Sequence, residues 1–355
     1  MKNFKILSII GVLAIVTILS LTFWIGCGSD DPNEPGTSYS SAPPPDVLER
    51  VKAIQEKHTD KLMEKPEIVG TAIGLDKDGN PAIYVLTEKA GVAGIPKELD
   101  SVPVIVEVSG KIRAFGNPDK VVKSTIDPTA KWPRPVPIGV STGNANENSA
   151  GTIGCRVKDN NSNVYALSNN HVYARENEAT IGENVLQPGR YDGGKTPEDV
   201  IGTLYAFKPI IFLTTASNDI NDINDIDAAI ALSDTGSLGN STPSNGYGTP
   251  SSNPVSPTIN MKVMKYGRTT GQTSGEIYLI NATVNVGYDS GTARFVGQII
   301  ITPGSFSKPG DSGSLIVRQS DKRPVGLLFA GSSSFTVANP ITTVLNYFKV
   351  SIDGQ

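Results

Sequence analysis

The chain has 355 residues, which is enough for two domains of ordinary size. Its formal net charge is −4 and charged residues make up 19% of it, so no basic excess could neutralise a phosphate backbone. We therefore expect no nucleic-acid partner. The 36 glycines and 25 prolines indicate short elements joined by many turns, which favours strands over long helices.

Residues 1–27 have the features of an export signal. Lys2 and Lys5 precede an uncharged, mostly apolar run over 6–26, and Cys27 follows it directly. The end of the run, Trp-Ile-Gly-Cys, resembles the bacterial lipoprotein box, in which the cysteine is lipidated and becomes the first residue. The alternative is an uncleaved membrane-spanning anchor, because about 20 apolar residues suffice to cross a bilayer. Both interpretations export the rest of the chain, which would be held at the cell envelope and face the periplasm or the outside.

Three segments follow the export signal. Residues 28–45 are rich in proline and serine without apolar periodicity, and are predicted to be a flexible tether. Residues 46–125 are predicted to form a small α+β domain, in which an amphipathic helix begins at Asp46, ends before Pro66 and is followed by three or four strands. Residues 126–150 are predicted to be a linker, because their prolines interrupt strand ladders.

Residues 151–355 carry short apolar runs between turn signals, as is typical of a barrel or a sandwich. The runs that predict strands lie at 152–157, 164–167, 200–205, 227–232, 262–266, 275–279, 295–302, 315–317 and 325–330. A final pattern with three-to-four spacing, Asn339–Phe348, predicts a closing helix. Cys155 is the single thiol left after Cys27, so this part can form no internal disulfide.

Ser312 lies between two glycines, in the sequence Gly-Asp-Ser-Gly-Ser over 310–314. By itself this pattern fits an ordinary turn equally well, but such a turn can also expose a hydroxyl and aim backbone N–H groups at one point. A serine nucleophile needs a base, and imidazole is the usual one. The chain has two histidines. His58 lies on the polar side of the first predicted helix and is interpreted as a surface residue, which leaves His171, just after the apolar run over 164–167.

A carboxylate that orients the imidazole would complete such a site. Asp227 is the first candidate, because small apolar residues lead from it into a predicted core strand. Asp225 is a rival from the acidic run over 218–227, which repeats a three-residue unit. The run could also bind Ca²⁺, but its spacing matches no recognised calcium loop. We predict no metal site and no cofactor.

In chain order, these three residues carry a resemblance to a known family. His171 in Leu-Ser-Asn-Asn-His-Val, Asp227 in Asp-Ala-Ala and Ser312 in Gly-Asp-Ser-Gly-Ser resemble the chymotrypsin-fold, or trypsin-like, serine proteases. Three further stretches, over 151–155, 266–271 and 325–331, resemble a bacterial branch akin to the plant narrow-leaf-type proteases.

The resemblance implies a mainly β fold for 151–355, with two six-stranded antiparallel β-barrels and the active site between them. It implies that His171 acts as general base and then as general acid, and that Asp227 orients it. It also implies that Ser312 attacks the peptide bond and that the backbone N–H groups of Gly310 and Ser312 form the oxyanion hole.

The chain departs from the family pattern at three places. Val172 follows the histidine, where a cysteine is usual. Digestive relatives are activated when a freed N-terminus pairs with the aspartate before the nucleophile, here Asp311, but no clear cleavage signal precedes Gly151. Residues 304–308, which would line the primary specificity pocket, include no acidic group, so no cleavage specificity is predicted.

The sequence therefore predicts a serine endopeptidase that works through an acyl-enzyme, acts on peptides or proteins and is tethered to a membrane by lipid on Cys27. Two alternatives stay open. One is a catalytically silent, protease-like surface module that binds peptides or protein partners. The other is a structural or adhesive lipoprotein in which the three motifs are only turns. No particular oligomeric state is predicted.

Overall fold

A computed structural model describes residues 43–115, 126–213 and 223–355 of the chain. The predicted export signal, including Cys27, and most of the predicted tether lie outside these residues. No helix in the three described ranges is long and apolar enough to cross a membrane.

The first described elements are one helix and five short strands. Helix α1 (Pro45–Met63) begins with a proline at its first position, where the missing N–H would have no partner in the helix anyway. The strands are β1 (Ile68–Leu75), β2 (Pro81–Thr87), β3 (Glu98–Leu99), β4 (Val102–Val108) and β5 (Arg113–Ala114). The buried face of α1 includes Val51, Ile54 and Leu62, which pack in one apolar cluster with Ile73 of β1. The helix and the strands expected in this segment are therefore present.

The next group of strands forms a closed barrel. The elements in this part of the chain are β6 (Ser141–Asn144), β7 (Gly151–Thr152), β8 (Cys155–Lys158), β9 (Val164–Ser168), α2 (Asn170–Tyr173), β10 (Asn184–Leu186), β11 (Val200–Phe207), β12 (Ile223–Asn224) and β13 (Ala229–Ser233). Strand β12 pairs outside this barrel. The pairing order is β8-β9-β13-β11-β10-β6-β7. Because β7 runs on into β8, the two act as one strand and the ring closes with six strands. Closure leaves no strand edge exposed within the ring.

A second ring of six strands follows. The strands are β14 (Lys262–Gly267), β15 (Gly271–Gly287), β16 (Thr292–Thr302), β17 (Leu315–Arg318), β18 (Pro324–Gly331) and β19 (Thr336–Pro340). Their pairing order is β16-β19-β18-β17-β14-β15, and β15 pairs with β16 to close the ring. The inward-facing apolar side chains fill its interior. The two six-stranded antiparallel barrels implied by the resemblance are thus confirmed.

Strand β15 is 17 residues long and also pairs outside its own barrel. It forms an antiparallel ladder with β1, in which Gly70 faces Val284. Strands β2, β4 and β3 then extend the sheet in that order. The strands of 46–125 therefore continue the sheet of the second barrel, and the division of the chain at 126–150 stays a prediction.

The C-terminal helix is shorter than the sequence predicts. Helix α3 covers Ile341–Phe348, whereas Asn339 belongs to β19 and pairs with Leu327. Pro340 lies directly before the helix, in an extended conformation that ends the strand. After α3, strand β20 (Ser351–Ile352) returns to pair with β8 of the first barrel.

Candidate active site

His171 is positioned by the end of β9 in the first barrel. The strand ends at Ser168, and the chain turns directly into α2, which carries the histidine on its first turn. The side-chain amide of Asn169 donates to the carbonyl oxygen of Asp227 at 2.7 Å and anchors the turn to the neighbouring strand connection. His171 is only 8% exposed. The turn therefore holds the imidazole in a fixed and largely dry place.

Asp227 lies two residues before β13 and is fully buried. Its Oδ2 lies 2.6 Å from Nδ1 of His171. Its Oδ1 accepts from the backbone N–H groups of Asn170, at 2.7 Å, and His171, at 3.3 Å. The carboxylate thus contacts both the ring and the main chain of the turn that carries the histidine. This arrangement fixes the ring orientation and leaves Nε2 facing away from the carboxylate.

Tyr288 is a further residue of this group, and the sequence analysis did not identify it. It follows the end of β15, and its hydroxyl donates to Oδ2 of Asp227 at 2.9 Å. Its ring meets those of His171 and Phe212 edge to face, with centroids 6.0 and 5.7 Å away. Burial and the negative charge of Asp227 raise the pKa of Tyr288 well above its usual value, so the hydroxyl keeps its proton. No motif marks this residue, because its partner lies on another barrel.

The pKa of His171 results from two opposing influences. Burial disfavours the charged imidazolium, but the negative charge of Asp227 and its hydrogen bond to the ring favour it more strongly. Glu176 and Glu147 add to the same effect. The pKa of His171 is therefore raised above 6.5. Its Nε2 is buried and has no hydrogen-bond partner in the described parts of the chain, so it can accept a proton.

Ser312 lies in a tight turn of the second barrel, as the two flanking glycines suggest. Gly310 and Gly313 have φ values of 96° and 92°, in the left-handed region where a side chain is strained. A Cβ on Gly313 would also lie 2.2 Å from Oγ of Ser168. The hydroxyl of Ser312 donates to the carbonyl oxygen of Phe329 at 3.2 Å, and no hydrogen bond joins it to His171 in this structure.

The turns of His171 and Ser312 meet at strand β7. The backbone N–H of Thr152 donates to the carbonyl oxygen of Ser312 at 2.8 Å. A Cβ on the preceding Gly151 would lie 2.6 Å from Cγ2 of Val172 and 3.0 Å from the carbonyl oxygen of Ser312. Only glycine leaves room for both turns there. The structure therefore packs the turn of the predicted base and the turn of the predicted nucleophile against the same residue.

The backbone N–H groups of Gly310 and Ser312 have no acceptor among the described residues. A trans peptide group points its N–H away from its C=O. The carbonyl of Pro309 accepts from Oγ1 of Thr269 at 2.7 Å, and that of Asp311 accepts from Oγ of Ser314 at 2.6 Å. Both N–H groups are therefore turned away from these contacts and are available to an anion.

Asp311, next to the predicted nucleophile, forms a buried ion pair with Lys265. Its Oδ2 lies 3.3 Å from Nζ of Lys265 on β14, and both side chains are fully buried. Burial lowers the pKa of Lys265, and the charge of Asp311 opposes that effect. The carboxylate also accepts from the backbone N–H groups of Thr269, Thr270 and Lys308. An internal lysine is therefore already paired with the carboxylate next to the predicted nucleophile.

A cleft of about 650 Å³ opens beside His171. Its lining includes Ser305, Ser307 and Lys308 from the segment expected to form the specificity pocket, together with Tyr288. The acidic groups of the lining are Glu176 and Asp289, and neither belongs to that segment. The described part of the cleft therefore offers small side chains and one lysine where the sequence predicts the pocket.

The other candidate residues lie elsewhere. Asp225, the rival third member, forms an ion pair with Lys208 at 3.5 Å. His58 lies on α1 and contacts Asp100 at 3.1 Å. Part of the acidic run over 218–227 lies outside the described residues, and no cluster of metal-binding side chains occurs in the remainder of the described chain.

Comparisons with known proteins give structural neighbours but no sequence relatives. No family model and no curated protein matches the chain. Solved structures that are similar include a glutamic acid-specific serine protease (18% identity, 61% of this chain and 100% of that one, TM-score 0.43). Another is the protease NAPase of Nocardiopsis (16% identity, 61% of this chain and 98% of that one, TM-score 0.41). A third is protease A of Thermobifida fusca (17% identity, 62% of this chain and 99% of that one, TM-score 0.43). The fold implied by the resemblance to the chymotrypsin-fold serine proteases is carried by the two six-stranded barrels of this chain, while the plant-like branch stays a prediction.

Proposed function

We propose that the chain is a serine endopeptidase that hydrolyses peptide bonds through an acyl-enzyme. The observation that carries this proposal is the 2.6 Å contact between Nδ1 of His171 and Asp227, which leaves a buried Nε2 without a partner. A ring held in this way can take a proton at Nε2 and return it. Ser312 supplies the nucleophile, because its turn meets that of the histidine at Gly151.

The reaction requires one change from the present arrangement. The hydroxyl of Ser312 must leave the carbonyl oxygen of Phe329 and donate to Nε2 of His171, which requires a change of its side-chain rotamer. Catalytic hydrogen bonds are often absent from free enzymes and form only with substrate. As Oγ attacks the carbonyl carbon, its proton passes to Nε2, and the departing amine then takes that proton. A water molecule then attacks the acyl carbon and gives a proton to Nε2. That proton returns to Oγ of Ser312 as the acid is released.

The developing oxyanion needs donors that are already in place. The backbone N–H groups of Gly310 and Ser312 fit this role, because neither has a partner in the described chain and their own peptide carbonyls are held elsewhere. Loss of one such donor typically reduces the rate by about 10²–10³-fold. We propose that both stabilise the tetrahedral intermediate.

A fluorophosphonate probe tests the proposal, because it reacts only with an activated serine. The full chain, in detergent, should be labelled and should hydrolyse peptides, while Ser312→Ala and His171→Ala should do neither. Asp227→Asn should lose most labelling, whereas its matched control Asp225→Asn should retain it. Absence of both labelling and hydrolysis in the intact chain would contradict the proposal and would favour the silent, peptide-binding module.

We also propose that the chain is exported and held at the cell envelope by lipid on Cys27. The support is the sequence alone, since a basic start and a long apolar run end at this cysteine. Metabolic labelling with an alkynyl fatty acid should tag the protein, and Cys27→Ala should remove the tag. Cys155→Ala is the control, because that thiol is buried in the first barrel. A tag that persists in Cys27→Ala would contradict the proposal.

A further inference from the structure

Strand β5 occupies the edge of β18 next to the nucleophile. Strand β17 pairs with β18 only as far as Leu315 facing Leu327, because the chain then turns away into the loop of Ser312. The rest of that edge is taken by β5, in which Ala114 faces Ala330 and Arg113 faces Gly331, antiparallel. The segment that covers the edge therefore comes from the N-terminal part of the chain.

The main chain of Phe115 shares a hydrogen-bond acceptor with the nucleophile. Its backbone N–H donates to the carbonyl oxygen of Phe329 at 3.4 Å, and the hydroxyl of Ser312 donates to the same oxygen at 3.2 Å. Extended peptides bind proteins by adding a strand to an exposed sheet edge, with pockets that select alternate side chains. The segment over 112–115 is bound in this manner, at the point where a substrate would have to lie.

The side chain of Phe115 fills an apolar part of the cleft. It is 9% exposed and belongs to the same buried cluster as Phe306, which lies within the segment that precedes Ser312. Its ring rests directly on the backbone of Gly331, since a Cβ there would lie 2.6 Å from Cζ of Phe115. The nearby lining consists of small residues such as Ser307, which leaves room for one large side chain.

We infer that the segment over 112–115 occupies the cleft as the acyl side of a peptide substrate does, with Phe115 in the primary pocket. Two properties follow, and both rest on the proposed function. The site selects peptides with a bulky apolar side chain at the residue whose carbonyl is attacked. The intact chain also inhibits itself, because its own segment competes with external substrates for the same edge.

The rival substrate is an acidic peptide, because Lys111, Arg113 and Lys308 line the cleft. Lys111 is already paired with Glu88 at 3.2 Å, and it lies on the occupying segment itself, as does Arg113. The pocket that Phe115 fills would remain when the segment leaves, whereas two of the three cations would leave with it. The apolar peptide is therefore the better match.

Hydrolysis by the full chain tests the selectivity. We would use short chromogenic peptides that are identical except for Phe, Glu or Lys at the cleaved bond. The value of kcat/KM should be about 100-fold higher for the Phe peptide than for the other two. A preference for Glu or Lys would overturn the inference without affecting the proposed function, because turnover itself would have been observed.

Substitution of Phe115 tests the self-inhibition. Phe115→Asp should lower KM for the Phe peptide about ten-fold, because a tethered competitor is lost. Phe115→Ala should act in the same direction and introduces no charge that could impair folding. Val108→Asp is the matched control, because Val108 lies on β4, shortly before the segment over 112–115, and is 44% exposed. A KM that is equal in all four proteins would overturn the inference.

A binding measurement separates this inference from catalysis. The peptide Lys-Ile-Arg-Ala-Phe copies residues 111–115, and calorimetry on chains that also carry Ser312→Ala would detect its binding without turnover. It should bind Phe115→Asp about ten-fold more tightly than the chain with Phe115 intact. Equal or absent binding overturns the inference. If the peptide binds as expected but no variant is labelled by the fluorophosphonate, the proposed function fails and the occupation of the cleft stands.

Discussion

Removal of Lys265 tests the buried ion pair next to the nucleophile. Lys265→Met leaves Asp311 as a fully buried carboxylate without a cation. Breaking a buried pair in this way typically costs about 3–5 kcal/mol of unfolding free energy. Asp311 keeps hydrogen bonds from the backbone of Thr269, Thr270 and Lys308, at 2.9, 3.1 and 3.0 Å. These bonds partly stabilise the lone carboxylate, so we expect the lower end, about 3 kcal/mol.

Urea unfolding of the full chain, in detergent, measures this free energy. The double variant Lys265→Met with Asp311→Asn removes both charges, and it should be about 2 kcal/mol more stable than the single variant. Lys262→Met is the matched control on the same strand, because Lys262 is exposed and pairs with Glu276 at the surface. That exposed pair should contribute less than about 1 kcal/mol.

The same substitution should reduce catalysis, because Asp311 shapes the turn that carries Ser312. We expect kcat/KM of Lys265→Met to fall, and that of Lys262→Met to stay within about two-fold of the parent. Our reasoning would be refuted if Lys265→Met were as stable as Lys262→Met. It would also be refuted if the double variant were less stable than Lys265→Met, since the lysine would then not be neutralising the aspartate.

Three further predictions concern the histidine and its partners. Asp227→Asn should lower kcat by about 10⁴-fold in peptide hydrolysis, whereas Asp225→Asn should leave it nearly unchanged. Because catalysis needs neutral His171, whose pKa is raised, kcat/KM should fall as the pH drops through a value above 6.5. In Asp227→Asn the charge that raises the pKa of His171 most is lost while burial still disfavours the imidazolium, so this fall should move to lower pH. Tyr288→Phe should reduce kcat/KM about ten-fold by removing one hydrogen bond to the carboxylate, whereas Tyr278→Phe, within the preceding strand β15, should not. A Tyr288→Phe enzyme with parental kcat/KM would show that the hydroxyl does not position Asp227.

The core of the candidate site could be predicted from local patterns. Ser312 is marked by the glycines on both sides, which its turn needs for positive φ at Gly310 and close packing at Gly313. His171 follows by elimination, since the chain has only two histidines. Asp227 could be separated from Asp225 because an apolar strand begins soon after it. The signals for Ser312 and Asp227 lie within a few residues of the side chains that they identify, and that for His171 needs only the composition of the chain.

Other parts of the site leave no such local signal. Tyr288 follows a strand of the second barrel and contacts Asp227 of the first. The sequence of the turn after β15 has no pattern that would indicate this contact. Lys265 lies in the middle of β14, where a charged residue would ordinarily be read as facing solvent, and its partner becomes visible only when β14 and the Ser312 turn are folded together. Pairings between distant segments depend on tertiary structure, which a single sequence does not state.

The strand predictions show the same limit. The sequence predicts three or four strands over 46–125, where β1, β2 and β4 lie, but it predicts a linker where the structure has β6. Its sequence, Ser-Thr-Gly-Asn, has no large apolar side chain, and all four residues are buried in the sheet between β10 and β7. Strand β15 was predicted to be much shorter, because polar residues interrupt its apolar pattern where it passes from one set of partners to another.

The pairing of β1 with β15 also bears on the order in which the chain can fold. Gly70 faces Val284, so an early segment of the chain receives its neighbour only when most of the polypeptide has been made. Contacts between such distant residues slow folding, because a long loop must close before they form. Until then, the apolar edge of β1 stays open to other chains. We would therefore expect truncated or stalled chains that end before β15 to aggregate more readily than the complete one.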